Sequence, residues 1–294
     1  MAVSRGHLLH VGYPKTGSKF LQRWFLAHPD ISFSPWGIAG FGNAHGLVEA
    51  AAASPPLWLA TSHEALLTPV PGLEDMRSRR GVALPARAGQ TAACAMLARL
   101  FPNAHILIVT RGYEALIRSF YGELVLSGAT YGFGAFCEAL LAQVERSDDV
   151  FDFDSAIGAY AAAFGEERLL VLPYELLRDR PTDFLEAIAA RLGLPPRAAG
   201  WGRVRASPPG SRVEAYRRMT AGLRRVPLPL ALRRRYVAAL RSGRLALMAA
   251  AVERLGGGGE PDPVPARLVE ALAGRTGRLL ERPYFKDYAR DYRA

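Results

Sequence analysis

Gly12, Lys15, Gly17 and Ser18 stand close together in "HVGYPKTGSKFLQ", between a short apolar run and an amphipathic stretch. A strand–loop–helix junction of this composition can bind an anion. Backbone N–H groups and the positive end of a helix dipole face the ligand, and glycines let the backbone turn tightly around it. Lys15 adds a point charge and Ser18 a hydroxyl. The Walker spacing G-x-x-x-x-G-K-[ST] is met by Gly12 and Gly17 and then broken. Ser18 stands where the lysine belongs, and Lys19 comes one place late with Phe20 behind it. The loop is therefore either a displaced nucleoside-triphosphate site or the holder of a different phosphate ester.

A second anchor lies in "VTRGYEALIRSFYGEL". Arg111 follows the apolar run "HILIVT", at the end of an expected strand, where open α/β sheets bind ligands. Ser119 comes eight residues later, about two turns into the next helix. An arginine fork and a serine hydroxyl placed this way can converge on a second anion. The other reading makes Arg111 a structural partner and Ser119 a neutral helix residue.

The elements that must hold these residues follow from periodicity and punctuation. His7–Gly12 reads as a buried strand, and Thr16–His28 as a helix ended by Pro29. Residues 30–54, rich in Gly, Pro, Ser and aromatics, read as a long loop over a ligand. Residues 56–67 read as a second strand running into a polar turn. The stretch "RAGQTAACAMLARLFP" is a helix, "HILIVTR" a strand, 112–127 a helix, and 131–164 two more helices. "RLLVLPY" is a strand, and Pro181 opens a helix running to Gly193. Strands alternating with helices predict an α/β fold, a P-loop-like parallel sheet flanked by helices. The last hundred residues are helical, arginine-rich and broken by prolines and "GGGGEPDP". The expected organisation is one domain over 1–294, with an α/β core at about 7–195 and a helical C-terminal extension at about 196–294.

Bulk composition narrows the function classes. The 294 residues are half hydrophobic and 22% charged, ordinary for a globular protein. The net charge of +10, nearly all from arginine, suits an anionic ligand or surface, although high arginine content is also a common genomic bias. Cys94 and Cys137 lie in apolar helical stretches without a C-x-x-C pair, so they are read as buried small hydrophobes, and no metal is expected. No apolar run reaches the ~20 residues of a spanning helix, and the N-terminal run is too short for a signal peptide. The expected location is cytoplasmic.

Two anchors describe a nucleotide phosphorylated at two separate places, and here a resemblance enters. "YPKTGSKFLQ" resembles the 5′-phosphosulfate loop of the sulfotransferases that use 3′-phosphoadenosine 5′-phosphosulfate (PAPS). Arg111 to Ser119, with Tyr121 after it, is similar to that family's 3′-phosphate segment. "LLVLPYELLRDRPTDFLEAIAARLGL" resembles a later stretch of these proteins, so the likeness spans roughly residues 7–195. The resemblance implies that Lys15 contacts the bridging oxygen and 5′-phosphate, with Thr16, Gly17, Ser18 and Lys19 completing the loop. It implies that Phe20 stacks on adenine, that Tyr174 lies near it, and that Arg111 and Ser119 hold the 3′-phosphate. It implies a metal-free transfer with PAPS as co-substrate. Lys19 departs from the family's usual threonine or serine. The family's late R-K-G motif is absent, and Arg205, Ser211 or Arg212 is the expected replacement. That absence points away from the animal cytosolic branch and toward a bacterial, carbohydrate-type one.

Transfer to a hydroxyl needs a general base. His63 and Glu64, in "ATSHEALL", are the expected candidates, Glu64 slightly ahead by its likeness to an S-x-E-x-L pattern. The alternative is a polar pair that merely starts a helix, and His45 is a third candidate. Trp36, Phe41, Tyr131 and Phe133 are expected to line the acceptor cleft. The loop's "KTG…FLQ" form resembles that of carbohydrate-type members, which favours a saccharide or glycolipid hydroxyl. A phenol or alcohol on a small metabolite comes second, a P-loop small-molecule kinase third, and a non-catalytic nucleotide-binding module fourth. The basic, apolar segment 228–256 reads first as a helix packed on the core with a solvated face. Its second reading is peripheral contact with an anionic membrane. No nucleic-acid partner is expected, because no basic stripe interleaved with aromatics appears.

Overall fold

Five parallel strands, β1 (Gly6–His10), β2 (Ile31–Ser34), β3 (Trp58–Ser62), β4 (His105–Thr110) and β5 (Leu169–Pro173), form one sheet in the order β2-β3-β1-β4-β5. The structure is a computed structural model. It describes residues 6–34, 58–63, 67, 82, 84–198, 200, 208–226, 229–257 and 262–293. The expected α/β fold, a parallel sheet flanked by helices, is the observed one. β5 and the Ile106–Val109 stretch of β4 are apolar and buried because parallel strands are covered on both faces.

β1 sits between β3 and β4, pairing Leu9 with Thr61 on one side and Ile106 on the other. Beyond β1 the chain still runs beside β4, with Val11 N–H bonded to the Leu107 carbonyl at 3.0 Å. From β1 the chain leaves through α1 (Ser18–Ala27) toward β2. α2 (Arg87–Leu100) precedes β4, and from β4 the chain runs through α3 (Tyr113–Leu126), α4 (Phe133–Glu145) and α5 (Phe153–Phe164) toward β5 on the opposite side. The loops after β1 and β4 thus diverge, opening the crevice in which such sheets bind ligands.

Two boundaries differ from expectation. β1 ends at His10, and α1 begins at Ser18 because Lys15 (φ 66) and Gly17 (φ 86) both take the left-handed conformation, which no helix turn accommodates. The expected loop after Asp30 opens instead with the edge strand β2. Ile31 is buried and Phe33 meets the Phe25 ring at 5.7 Å, an alternation short enough to be lost beside the Gly- and Pro-rich residues that follow. The rest of that segment lies outside the described residues.

After β5 the described elements are helical: α6 (Tyr174–Asp179), α7 (Pro181–Leu192), α8 (Gly210–Arg224), α9 (Leu230–Ser242), α10 (Ala246–Val252), α11 (Ala266–Ala273) and α12 (Gly277–Leu280). A π-turn (Glu253–Gly257) follows α10, and a 3₁₀ segment (Pro283–Asp291) closes the chain. These elements are tied into the core. α8 packs on α3 and α11 on α4. Arg275 pairs with the buried Asp149 at 3.0 Å, and Asp154 accepts the first N–H groups of α12, Arg278 and Leu279, at 2.9 Å each. Cys94 and Cys137 are buried free thiols, and burial pushes each up to about 11.

Candidate functional site

The loop between β1 and α1 is fixed from beneath before it meets any ligand. Tyr13 is buried and donates its hydroxyl to the Val150 carbonyl at 2.9 Å. Thr16 turns its hydroxyl back onto the Tyr13 carbonyl at 2.6 Å. Thr16 therefore has its side chain committed to the loop's own fold, and of its expected role only the backbone remains. The first bonds of α1 run from Phe20 and Leu21 N–H to the Gly17 carbonyl, at 2.8 and 3.2 Å. The N–H groups of Gly17, Ser18 and Lys19 precede them, in the position where a helix N-terminus offers donors to an anion. Ser18 Oγ is buried with no hydrogen-bond partner.

Any other residue at position 17 would be strained. The φ of Gly17 is positive, and an added Cβ would lie 2.4 Å from Leu177 Cδ2 and 3.6 Å from the Tyr174 ring. α6 is thus seated against the loop, and Tyr174, its first residue, is half-buried beside Gly17. The Arg111 guanidinium stacks over that ring with its carbon 4.8 Å from the centroid. Arg111 also donates Nη1 to the Lys15 carbonyl at 3.0 Å, while its Nε is buried without a partner. Burial pushes the Arg111 pKa down from its ordinary value, with Tyr174 and Glu175 pulling it back up.

A buried carboxylate stands behind this arginine. Glu175 accepts Gly112 N–H at 3.1 Å and the Tyr292 hydroxyl at 3.0 Å, and Tyr292 also meets Thr110 Oγ1 at 2.9 Å. Desolvation raises the Glu175 pKa, and the Gly112 N–H and Tyr292 hydroxyl oppose the rise. The last residues of the chain thus brace the strand tip that carries Arg111.

The Lys15 ammonium pairs with Glu123 Oε2 at 2.9 Å, and Arg241 lies 3.6 Å from the other carboxylate oxygen. Glu123 escaped the sequence reading, although it stands one helical turn after Ser119 and therefore on the same face of α3. Ser119 itself is buried on that helix. Glu175 follows Tyr174 directly in the quoted "PYELL" and was equally readable, whereas nothing in the sequence marks Tyr292.

The side chains of two expected residues, Phe20 and Arg212, are engaged elsewhere. Phe20 is only 8% exposed and faces the core, so it leaves no open ring face for an adenine. Arg212, on α8, gives Nε to Glu253 at 2.7 Å and Nη1 to the Ala246 carbonyl at 3.1 Å, fastening α10 to α8 rather than reaching for a phosphate. Lys19 is exposed on the first turn of α1. On the other side of β1, His63 follows β3, half-buried, with Nδ1 unpartnered and its N–H bonded to the His10 carbonyl at 3.0 Å. Glu64, His45, Trp36, Phe41 and Arg205 lie outside the described residues.

His10 was also missed. It is fully buried, its Nδ1 is 2.7 Å from Ser62 Oγ, and Gln22 Nε2 is 3.3 Å from the same oxygen. Burial pushes its pKa down to about 4, so the ring is neutral. His10 Nε2 is buried without a hydrogen-bond partner. That atom lies 2.6 Å from where a Gly12 side chain would begin. Gly12 is therefore required by the imidazole beneath it. Among the described residues no group of three His, Cys, Asp or Glu side chains gathers as a metal site would need.

No family model matches the chain, and no curated protein matches it. Solved structures do. A sulfotransferase from Alicyclobacillus acidocaldarius is similar at 17% identity and a TM-score of 0.49, over 79% of this chain and 99% of that one. The mouse sulfotransferase SULT7A1, crystallised in complex with PAP, is similar at 15% identity and a TM-score of 0.39, over 76% of this chain and 64% of that one. Both likenesses are distant, and the site's own residues carry the functional reading.

Proposed function

We propose that this protein is a PAPS-dependent sulfotransferase, moving a sulfuryl group to an acceptor hydroxyl by in-line transfer. The observation that carries the proposal is the joining of two anchors. Arg111, from the tip of β4, is bonded to the carbonyl of Lys15 in the loop after β1, so both cations belong to one crevice. In the proposed reaction the acceptor oxygen attacks sulfur, the bond from sulfur to the bridging oxygen breaks, and the acceptor proton passes to a base. Positioning and charge stabilisation do most of the work in a loose transfer of this kind. Lys15 neutralises charge on the leaving phosphate, the N–H groups and hydroxyl at Gly17 and Ser18 hold that phosphate, and Arg111 with Ser119 holds the 3′-phosphate. Tyr174 serves the adenine in place of Phe20. His63 is the base candidate among the described residues, with Glu64 beside it in sequence.

The acceptor is a saccharide or glycolipid hydroxyl in this proposal, supported by the "KTG…FLQ" form of the loop. A kinase is disfavoured because Lys19 is exposed and Arg111 stands where a Mg²⁺-binding carboxylate would be expected.

Thermal-shift titration of wild type and Arg111→Ala with adenosine 3′,5′-bisphosphate and with ATP–Mg²⁺ tests the reading. Ligand at ~100 times its Kd stabilises by roughly 2.7 kcal/mol. Stabilisation by the bisphosphate that collapses in Arg111→Ala is expected. Stabilisation by ATP–Mg²⁺ alone would overturn the proposal.

A further inference from the structure

We propose that α9, α10 and the π-turn after them form a surface that docks on an anionic lipid bilayer. The proposal does not depend on the transfer reaction.

The apolar half of the surface is a stripe held outward. Leu247, Met248, Ala251 and Leu255 follow one face of the helix and its π-turn, with Leu247 and Leu255 each 87% exposed and Met248 59%. The opposite face is pinned: Ala249 is buried, and Arg212 bonds both Glu253 and the Ala246 carbonyl. The exposure is therefore a property of a fastened helix, not of a frayed one. Of the nine large hydrophobics that are exposed among the described residues, Val226, Leu232, Leu247, Met248 and Leu255 fall in this part of the chain. Isolated exposed leucines need no explanation, but a concentration of them on one element marks a contact surface.

The charged half decides what the surface contacts. Between Glu214 and Glu253 the chain contains no carboxylate, yet it carries Arg217, Arg218, Arg224, Arg225, Arg233, Arg234, Arg235, Arg241 and Arg244. The two bounding glutamates are neutralised locally, Glu214 by Arg217 and Arg218, and Glu253 by Arg212. Arg225, Arg235, Arg244 and Arg254 are exposed and have no ion-pair partner among the described residues. A second copy presenting the same face would meet like charge. A nucleic acid would be served by exposed aromatics, where this stripe offers leucine and methionine. Exposed aliphatic side chains with the exposed Arg244 and Arg254 beside them in sequence match the interfacial layer of an anionic membrane, the apolar atoms entering the acyl boundary and the guanidinium groups meeting phosphates. No described helix is long and apolar enough to cross a membrane, so the contact is peripheral. The surface is also continuous with the crevice. Arg241 of α9 bonds Ser127 Oγ at 2.6 Å and approaches Glu123, the partner of Lys15.

Co-sedimentation of the full chain with vesicles of phosphatidylcholine alone, or mixed with phosphatidylglycerol, tests this without any nucleotide. Wild type should pellet with the mixed vesicles only, and rising salt should release it. Leu247→Asp/Leu255→Asp and Arg244→Glu/Arg254→Glu, both at exposed positions, should each weaken the binding by roughly tenfold or more. Thermal melting should be unchanged in both. Failure to pellet with anionic vesicles, or equal binding by the variants, would overturn the proposal. So would a concentration-dependent dimer of wild type that Leu247→Asp/Leu255→Asp dissociates, which would assign the surface to a second copy instead.

Discussion

The Arg111 guanidinium donates to the main-chain carbonyl of Lys15 at 3.0 Å, across 96 residues of sequence. One cation thereby fixes the backbone that carries the other. Two like charges are kept in one crevice because Arg111 meets an oxygen of the loop and the face of Tyr174, with the buried Glu175 behind it. The Arg111 Nε stays buried without a partner.

Arg111→Lys should fail to rescue the site. Lysine keeps the charge but loses the planar fork and the stacking on Tyr174. Losing one charged hydrogen bond costs about 1.5–3 kcal/mol, so the affinity for adenosine 3′,5′-bisphosphate should fall roughly tenfold or more. Calorimetric titration of the two proteins reads this directly. Equal affinity would mean that Arg111 acts only as a diffuse positive charge.

Glu123 competes with any anion for Lys15. The pair is partly exposed on both sides, so its own contribution to stability is about 0–1 kcal/mol after solvent screening. Glu123→Gln should therefore melt within a few degrees of wild type while binding adenosine 3′,5′-bisphosphate several-fold more tightly. Unchanged or weaker binding would show that Glu123 positions Lys15 for the ligand instead of holding it back.

Gly17→Ala and Gly193→Ala form a matched pair. Both glycines have positive φ, but an added Cβ at Gly193 meets nothing within 4 Å, whereas at Gly17 it strikes Leu177. The left-handed strain alone costs on the order of 1–2 kcal/mol, which is the expected loss for Gly193→Ala. Gly17→Ala should lose more, measured by urea unfolding, and should alone lose bisphosphate binding. Equal losses would mean that α6 yields freely beside the loop.

His10 gives the fold a pH dependence with a defined sign. Its folded pKa of about 4 lies below the ordinary 6.5, so below pH 6.5 the unfolded chain takes up a proton that the folded chain refuses. Stability therefore falls as the pH drops from 6.5 toward 4, and this group accounts for about 2 kcal/mol of loss by pH 5. His7, also pushed down to about 4 by burial, acts in the same direction. The free energy of urea unfolding at pH 7 and pH 5 should drop less for His10→Gln than for wild type. An identical drop in the two proteins would show that His10 does not titrate in this range.

The sequence by itself determined the parallel α/β layout, because buried strands and amphipathic helices announce themselves by their periods and by Gly and Pro at their ends. It also located the loop and the Arg111 strand tip, since both anchors lie at strand-to-helix junctions. It did not show the side-chain directions of Thr16, Phe20 and Arg212. Each is a side chain whose direction depends on backbone angles or on a distant neighbour: the left-handed Lys15 and Gly17, the core beneath α1, and Glu253 forty-one residues away.

Only the tertiary structure decided that Arg111 bonds the Lys15 carbonyl, that Glu123 meets the lysine, and that Tyr292 returns to the strand tip as part of the core. Those are contacts between residues far apart along the chain, set by packing and the closure of long loops, and no local period encodes them.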